Sequence, residues 1–209
     1  MESYDVIDWG KPLQKAVRET PKPTGTEVLV RVTYCGVCHS DVHIRDGYFE
    51  LGGGKRFHMS ERGMKLPVTL GHEPYGRVVA AGPDAGDVPI GQDRLVYPWN
   101  GCGRCARCEE GLDNHCMQPR FRGIQAAGGY ADHLIVPHPK YLIDASGIDP
   151  AVAPILACSG LTTYAATRKL LPCPPDERIL VIGAGGLGLM AIAMLKAQGH
   201  RNIAVAEID

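Results

Sequence analysis

Apolar and polar positions change rhythm along this chain of 209 residues. Residues 27–34 (EVLVRVTY) alternate with period two, which predicts a half-buried strand. Short apolar runs bounded by Gly, Pro or Asp at 77–81, 93–97 and 130–136 predict further strands. Residues 47–65 lack that rhythm. There Gly52-Gly53-Gly54 precedes Lys55, Arg56, His58, Glu61 and Arg62, which predicts a long loop. The pattern shifts after Asp149-Pro150. Residues 151–169, rich in Ala, Leu and Thr, read mostly as helix, and Pro172, Pro174 and Pro175 stop it. A short buried strand at 178–182, a helix at 186–198 closed by Gly199, and a buried strand at 202–207 then form one β-α-β unit. The prediction is a β domain over 1–150, and a linking helix plus the start of an α/β domain over 151–209.

Charge and composition remove several partners. Lys and Arg total 22 against 23 Asp and Glu, a net charge of −1 with no basic stripe, so nucleic acid is not expected. Hydrophobic content of 44% and charged content of 22% are ordinary globular values. Met1-Glu2-Ser3-Tyr4-Asp5 has neither the basic nor the apolar region of a signal peptide. The longest uncharged stretch, 179–195, is interrupted by Gly183, Gly185, Gly186 and Gly188, so no membrane span is expected. Eight cysteines, several at metal-ligand spacing, favour a reducing compartment, and the expected location is cytoplasmic.

The cysteines carry the sharpest chemistry. Cys102, Cys105, Cys108 and Cys116 follow C-x2-C-x2-C-x7-C in a Gly- and charge-rich segment that could form no core of its own. Four thiolates from one loop make the closed tetrahedral site of a structural zinc; a disulfide-bonded or free-thiol loop is the duller reading. Gly183-Ala184-Gly185-Gly186-Leu187-Gly188 is G-x-G-x-x-G between a predicted strand and helix, the context of a dinucleotide turn. A strand–helix turn without ligand is its alternative. Glu207 and Asp209 stand where an acid would take the adenosine ribose hydroxyls and repel a 2′-phosphate, favouring NAD over NADP. Cys35-Gly36-Val37-Cys38-His39-Ser40-Asp41-Val42-His43, Gly71-His72-Glu73 and Cys158 offer further ligands. Each has a plain alternative as a turn or core residue, and Cys35 with Cys38 also fits a C-x-x-C redox pair.

Taken together and in this order, these segments resemble the zinc-dependent alcohol dehydrogenases of the medium-chain dehydrogenase/reductase family. The resemblance implies a GroES-like β-barrel catalytic domain, with a structural zinc lobe at about 101–123, followed by the first β-α-β unit of a Rossmann domain. It implies two zinc ions per chain and NAD. Cys38, His72 and Cys158 would hold the catalytic zinc with one position open. Glu73 would approach the metal from behind, and Asp41 would orient the His72 ring. Ser40 and His43 would form a proton relay, His39 would lie near the pyrophosphate, and Thr162 and Leu187 would flank the nicotinamide. Trp99 would wall the substrate pocket.

The reaction implied is hydride transfer between a small alcohol, or its aldehyde or ketone, and NAD, in a homo-oligomer (dimer or tetramer) at full length. A polyol or sugar-alcohol dehydrogenase, a non-catalytic zinc-bound module and a thiol redox protein are the alternatives. Residues 47–65 run longer than the family pattern, and Lys55, Arg56 and Arg62 there read either as an anion-favouring mouth or as a solvated face. A doubly wound fold needs two mononucleotide halves, and one is seen. The chain is therefore read as truncated, and 209 residues alone are expected to bind cofactor weakly and turn over little.

Overall fold

The computed structural model describes residues 1–208; Asp209, the second predicted ribose acid, and the side chain of Arg62 lie outside the described residues. The backbone divides into two compact units, Met1–Pro154 and Ile155–Asp209.

In chain order the first unit holds β1 (Glu2–Val6), β2 (Gln14–Val17), β3 (Val28–Cys35), α1 (His39–Asp46), β4 (Tyr48–Gly52), β5 (Lys55–His58), β6 (Val68–Thr69), β7 (Pro74–Ala81), β8 (Asp93–Val96), α2 (Ala106–Glu109), β9 (His133–Val136) and β10 (Leu142–Ile143). Five strands pair antiparallel in the order β10-β8-β7-β3-β9. Their apolar positions meet in one core of Val28, Val30, Val78, Val96, Leu134, Val136 and Tyr141, because period-two alternation sends those side chains to a single face. A second sheet, β2-β1-β6, is also antiparallel. Val6 and Val68 from it pack with Ile44 of α1 and with Met59, Met64 and Leu70 in a second core.

Two expectations are corrected here. The implied β-barrel is not closed among the described residues. Strand β1 meets the segment before β9 at the isolated Ser3–Ala131 bridge, flanked by the Tyr4 N–H bond to Tyr130 O and the Asp132 N–H bond to Glu2 O, a pairing too short to merge the sheets into one ladder. Residues 47–65 are not a structureless loop. They form the β4–β5 hairpin and a short 3-10 turn, Met59–Arg62. Gly53 and Gly54, at φ 59° and 75°, supply the left-handed pair such a tight turn needs.

The second unit holds α3 (Ser159–Thr167), β11 (Ile179–Ile182), α4 (Gly186–Ala197) and β12 (Ile203–Ala206). The predicted helix over 151–169 is regular only along α3, with 3-10 turns at Ala153–Ala157 and Arg168–Leu170. Strands β11 and β12 pair parallel across α4, from Ile179–Ile203 to Ile182–Ala206. Gly199, at φ 91°, follows the end of α4 in the left-handed conformation. No helix among the described residues is long and apolar enough to cross a membrane.

Candidate metal centres and dinucleotide turn

Cys38 and Asp41 come together because they open one short helix. Cys38 is the N-cap of α1, in extended conformation, and its N–H donates to Asp41 Oδ2 at 3.0 Å. A carboxylate in the first turn is favoured there by the unpaired N–H groups and the helix dipole. Ile44, buried in the second core, fixes the other face of α1. Asp41 Oδ1 accepts the Gly71 N–H at 3.2 Å and lies 3.0 Å from His72 Nδ1. One buried carboxylate thus ties the helix N-terminus to the turn carrying His72, and it assigns the ring proton to Nδ1.

His72 Nε2 is then the nitrogen left to face a ligand. It is buried, and no group meets it with hydrogen-bond geometry. The ligand atoms of Cys38, His72 and Glu73 all lie within 4.8 Å of one another. Glu73 is buried too, with its Oε2 only 1.9 Å from where a side chain at Gly36 would begin, so glycine there makes room for it. Burial disfavours the His72 imidazolium, but Asp41 and then Cys38 outweigh it and raise its pKa to about 10. A buried imidazole nitrogen, a sulfur and a carboxylate within 4.8 Å of one another are the ligand set of a divalent borderline metal such as zinc. A metal at Nε2 would take the place of the second proton.

Other predicted residues surround this centre. The Trp99 ring lies 5.8 Å from the His72 ring and edge-on to Phe121 at 5.2 Å. His39 and His43, one turn apart on α1, stack at 4.6 Å, and His43 packs against Phe49 of β4 at 4.8 Å. Ser40 lies on the same helix, half-buried. Cys35 ends β3. Burial pushes its thiol up to about 12, so Cys35 itself is not the attacking thiolate near neutral pH. Sequence reading missed Tyr130. Its hydroxyl is buried without a hydrogen-bond partner, and burial and the nearby Asp41 charge push it above the ordinary phenol range. Nothing in its strand-like sequence surroundings signals a buried hydroxyl. Arg56, a predicted cation of the mouth, instead pairs with Glu50 at 2.8 Å and covers the Tyr48 ring at 4.0 Å.

The four-cysteine lobe forms the second centre. The sulfurs of Cys102, Cys105, Cys108 and Cys116 lie within 4.8 Å of one another, with Cys105 to Cys108 at 3.5 Å and Cys105 to Cys116 at 3.8 Å. Zinc–sulfur bonds of about 2.3 Å in a tetrahedron require edges of roughly 3.8 Å, so the sulfurs already stand at coordinating separations. The N–H groups of Cys102 and Gln118 each donate to Cys116 Sγ at 3.3 Å. A backbone N–H at Arg104 brings the Cys102 thiol down to about 6, while desolvation pushes Cys108 up to about 11. The lobe is held to the body by Asp113. Its buried carboxylate accepts Tyr141 Oη at 2.6 Å and Lys140 Nζ at 3.0 and 3.1 Å.

In the second unit the glycines have distinct duties. Gly183 adopts φ 91°, open only to glycine without strain. A Cβ at Gly188 would lie 1.9 Å from Gly183 O, so its absence lets α4 pack on the strand end. Gly185, the N-cap of α4, and Gly186 face open space, where a phosphate could reach backbone N–H groups. Glu207 turns back on this loop. Its carboxylate accepts the Ala184 N–H closely and the Ile208 N–H at 2.7 Å, which lower its pKa. Leu187 and Thr162 are exposed on α4 and α3. Cys158 is the N-cap of α3.

Residues 24–146 match the alcohol dehydrogenase GroES-like domain, more than half of the chain. The chain belongs to the alcohol dehydrogenase family that carries this domain. It is 43% identical over 198 residues to an NAD-dependent alcohol dehydrogenase of Sulfurisphaera tokodaii, covering 94% of this chain and 56% of that protein. Among solved structures it is similar to the alcohol dehydrogenase of Aeropyrum pernix (TM-score 0.84, 26% identical, covering 100% of this chain and 60% of that one). It is also similar to a cobalt- and zinc-bound thermostable alcohol dehydrogenase from Pyrobaculum aerophilum (TM-score 0.83, 29% identical, covering 100% and 60%). The chain thus spans between half and two thirds of the length of these relatives.

Proposed function

We propose that this chain carries the metal centres and the first cofactor-binding unit of an NAD-dependent zinc alcohol dehydrogenase. It would exchange a hydride between a small alcohol and NAD, or act on the aldehyde or ketone in reverse. The observation that carries this reading is the buried, unpartnered Nε2 of His72 beside Cys38, with Nδ1 fixed by Asp41. Cys38, His72 and Cys158 are assigned to the catalytic zinc, and Cys102, Cys105, Cys108 and Cys116 to a structural one. The metal-bound and NAD-dependent relatives support both assignments.

Zinc, when bound, supplies Lewis acidity toward the substrate oxygen, and NAD supplies the hydride acceptor. The protein's own residues do the rest. Asp41 keeps the His72 lone pair turned inward. Ser40 would accept the alcohol proton while handing its own hydroxyl hydrogen, through a cofactor ribose hydroxyl, to His43, which would release a proton to solvent, a role its position on the half-exposed α1 allows. Trp99 limits the space beside His72. Glu73 is a buried carboxylate that would offer a further ligand oxygen beside His72. Gly183, Gly185, Gly186 and Gly188 receive the pyrophosphate, with His39 adding positive charge when protonated. Thr162 and Leu187 flank the nicotinamide. Glu207 takes the ribose hydroxyls, which favours NAD over NADP. A small-molecule alcohol or carbonyl partner, a homo-oligomeric full-length form and a cytoplasmic setting belong to the same proposal.

The test is reduced-nicotinamide absorbance with small primary and secondary alcohols and with polyols. In a full-length form, oxidation of small alcohols with NAD, lost in His72→Ala, is expected. A preference for polyols would favour the sugar-alcohol alternative. Full zinc content with no NAD binding would favour a non-catalytic module.

A further inference from the structure

A cleft of about 890 Å³ in the first unit contains none of the candidate metal ligands. It lies between the N-terminal sheet and the segment that follows Cys116, and that volume suits a small organic molecule. Its charges do not cancel. Asp5, the buried carboxylate in its wall, is already satisfied by Arg18 and by the Thr69 hydroxyl at 2.7 Å. Lys65 and Arg120 also line the cleft, and neither has a carboxylate partner among the described residues. Gln125 adds a different signal. Its Oε1 is buried with no hydrogen-bond donor, an acceptor without a partner on the wall of the same cleft.

We propose that this cleft binds a phosphate monoester: an oxyanion held by Lys65 and Arg120 that donates a hydroxyl hydrogen to Gln125 Oε1. Two cations paired with no carboxylate among the described residues, beside an Asp5 already held by Arg18, call for an anion, and Arg120 can meet a phosphate with two parallel N–H groups. The buried oxygen calls for a donor, which a phosphate or sugar hydroxyl supplies and a bare sulfate lacks. The volume beyond the charged end accommodates the organic body. This inference goes beyond the redox reading and does not depend on it.

The test is a titration of 15N-labelled, zinc-loaded protein with inorganic phosphate and, separately, with sulfate. The expected result is saturable shifts of the Arg120 Nε–H and Gln125 side-chain signals. Sulfate should bind there about tenfold more weakly, having no hydrogen for Gln125. In the double variant Lys65→Ala/Arg120→Ala the phosphate dissociation constant should rise about tenfold or more. Both replaced side chains are exposed, and an unchanged spectrum elsewhere would show that the fold is kept. Shifts that never saturate, saturable shifts confined to the glycines at 183–188, or undiminished binding in the double variant would each overturn the proposal.

Discussion

Asp41 is the residue on which the candidate catalytic centre turns. It touches the Cys38 N–H, the Gly71 N–H and His72 Nδ1, so it aligns two proposed ligands from segments far apart in sequence. Asp41→Asn keeps the shape but removes the charge and can present an N–H to Nδ1. It should weaken metal binding at His72 about 10–100-fold while sparing the four-cysteine centre, as competition with a chromogenic chelator would show. Asp113 plays the matching part for the lobe. Burial works against its charge, yet the Tyr141 hydroxyl and Lys140 hold its carboxyl below the ordinary value. A depressed folded value means the stabilisation is complete above the unfolded carboxyl value of about 3.9 and disappears as pH falls through the folded one. Asp113→Asn should therefore cost about 1–2 kcal/mol at pH 7, modest because Lys140 is half exposed. The gap between variant and wild-type melting curves should close in stronger acid; a gap independent of pH would contradict the assigned charge. The family resemblance of the Cys38-His39-Ser40-Asp41-Val42-His43 segment pointed to Asp41, but nothing pointed to Asp113, whose partners lie 27 and 28 residues away.

Among elements, the glycine turn separates space needed for folding from space needed for a ligand. Gly188→Ala would drive a methyl group against Gly183 O, so it should lower stability by about 1–3 kcal/mol. Gly185→Ala meets nothing within 4 Å and keeps an ordinary backbone angle of φ −68°. It should melt like wild type yet bind NAD weakly, because the added carbon occupies the space the pyrophosphate needs. Equal loss of stability in both variants would contradict this division. The turn was legible in sequence because its glycines stand at fixed spacing between two apolar runs. The β4–β5 hairpin was not, although Gly53-Gly54 carried its signal, because polar Lys55, Arg56 and His58 masked the alternation. Strands β1 and β2 escaped for the same reason: ESYDV and QKAV hold few apolar positions, and only β1 buries a regular face. Barrel closure depends on pairing between distant strands, which no local pattern records.

At the scale of the molecule, the two metal centres make opposite demands. The lobe gathers four sulfurs from one short segment, and the proposed ion would hold its shape. The other centre is assembled from α1 and the Gly71 turn on a packed core, with an unpartnered nitrogen at its heart. Local spacing revealed the first directly. The second became legible only through the joint order of several motifs, since its ligands share no segment. The two centres should also differ under chelation: the lobe should lose structure with its metal, while the body around His72 should keep its fold. The most direct test is zinc content per chain in wild type, Cys102→Ser, His72→Ala and the double variant, measured on folded protein. Two ions in wild type, one in each single variant and none in the double variant are predicted. Two ions retained in His72→Ala, or a single ion in wild type that vanishes with Cys102→Ser, would contradict a metal at His72.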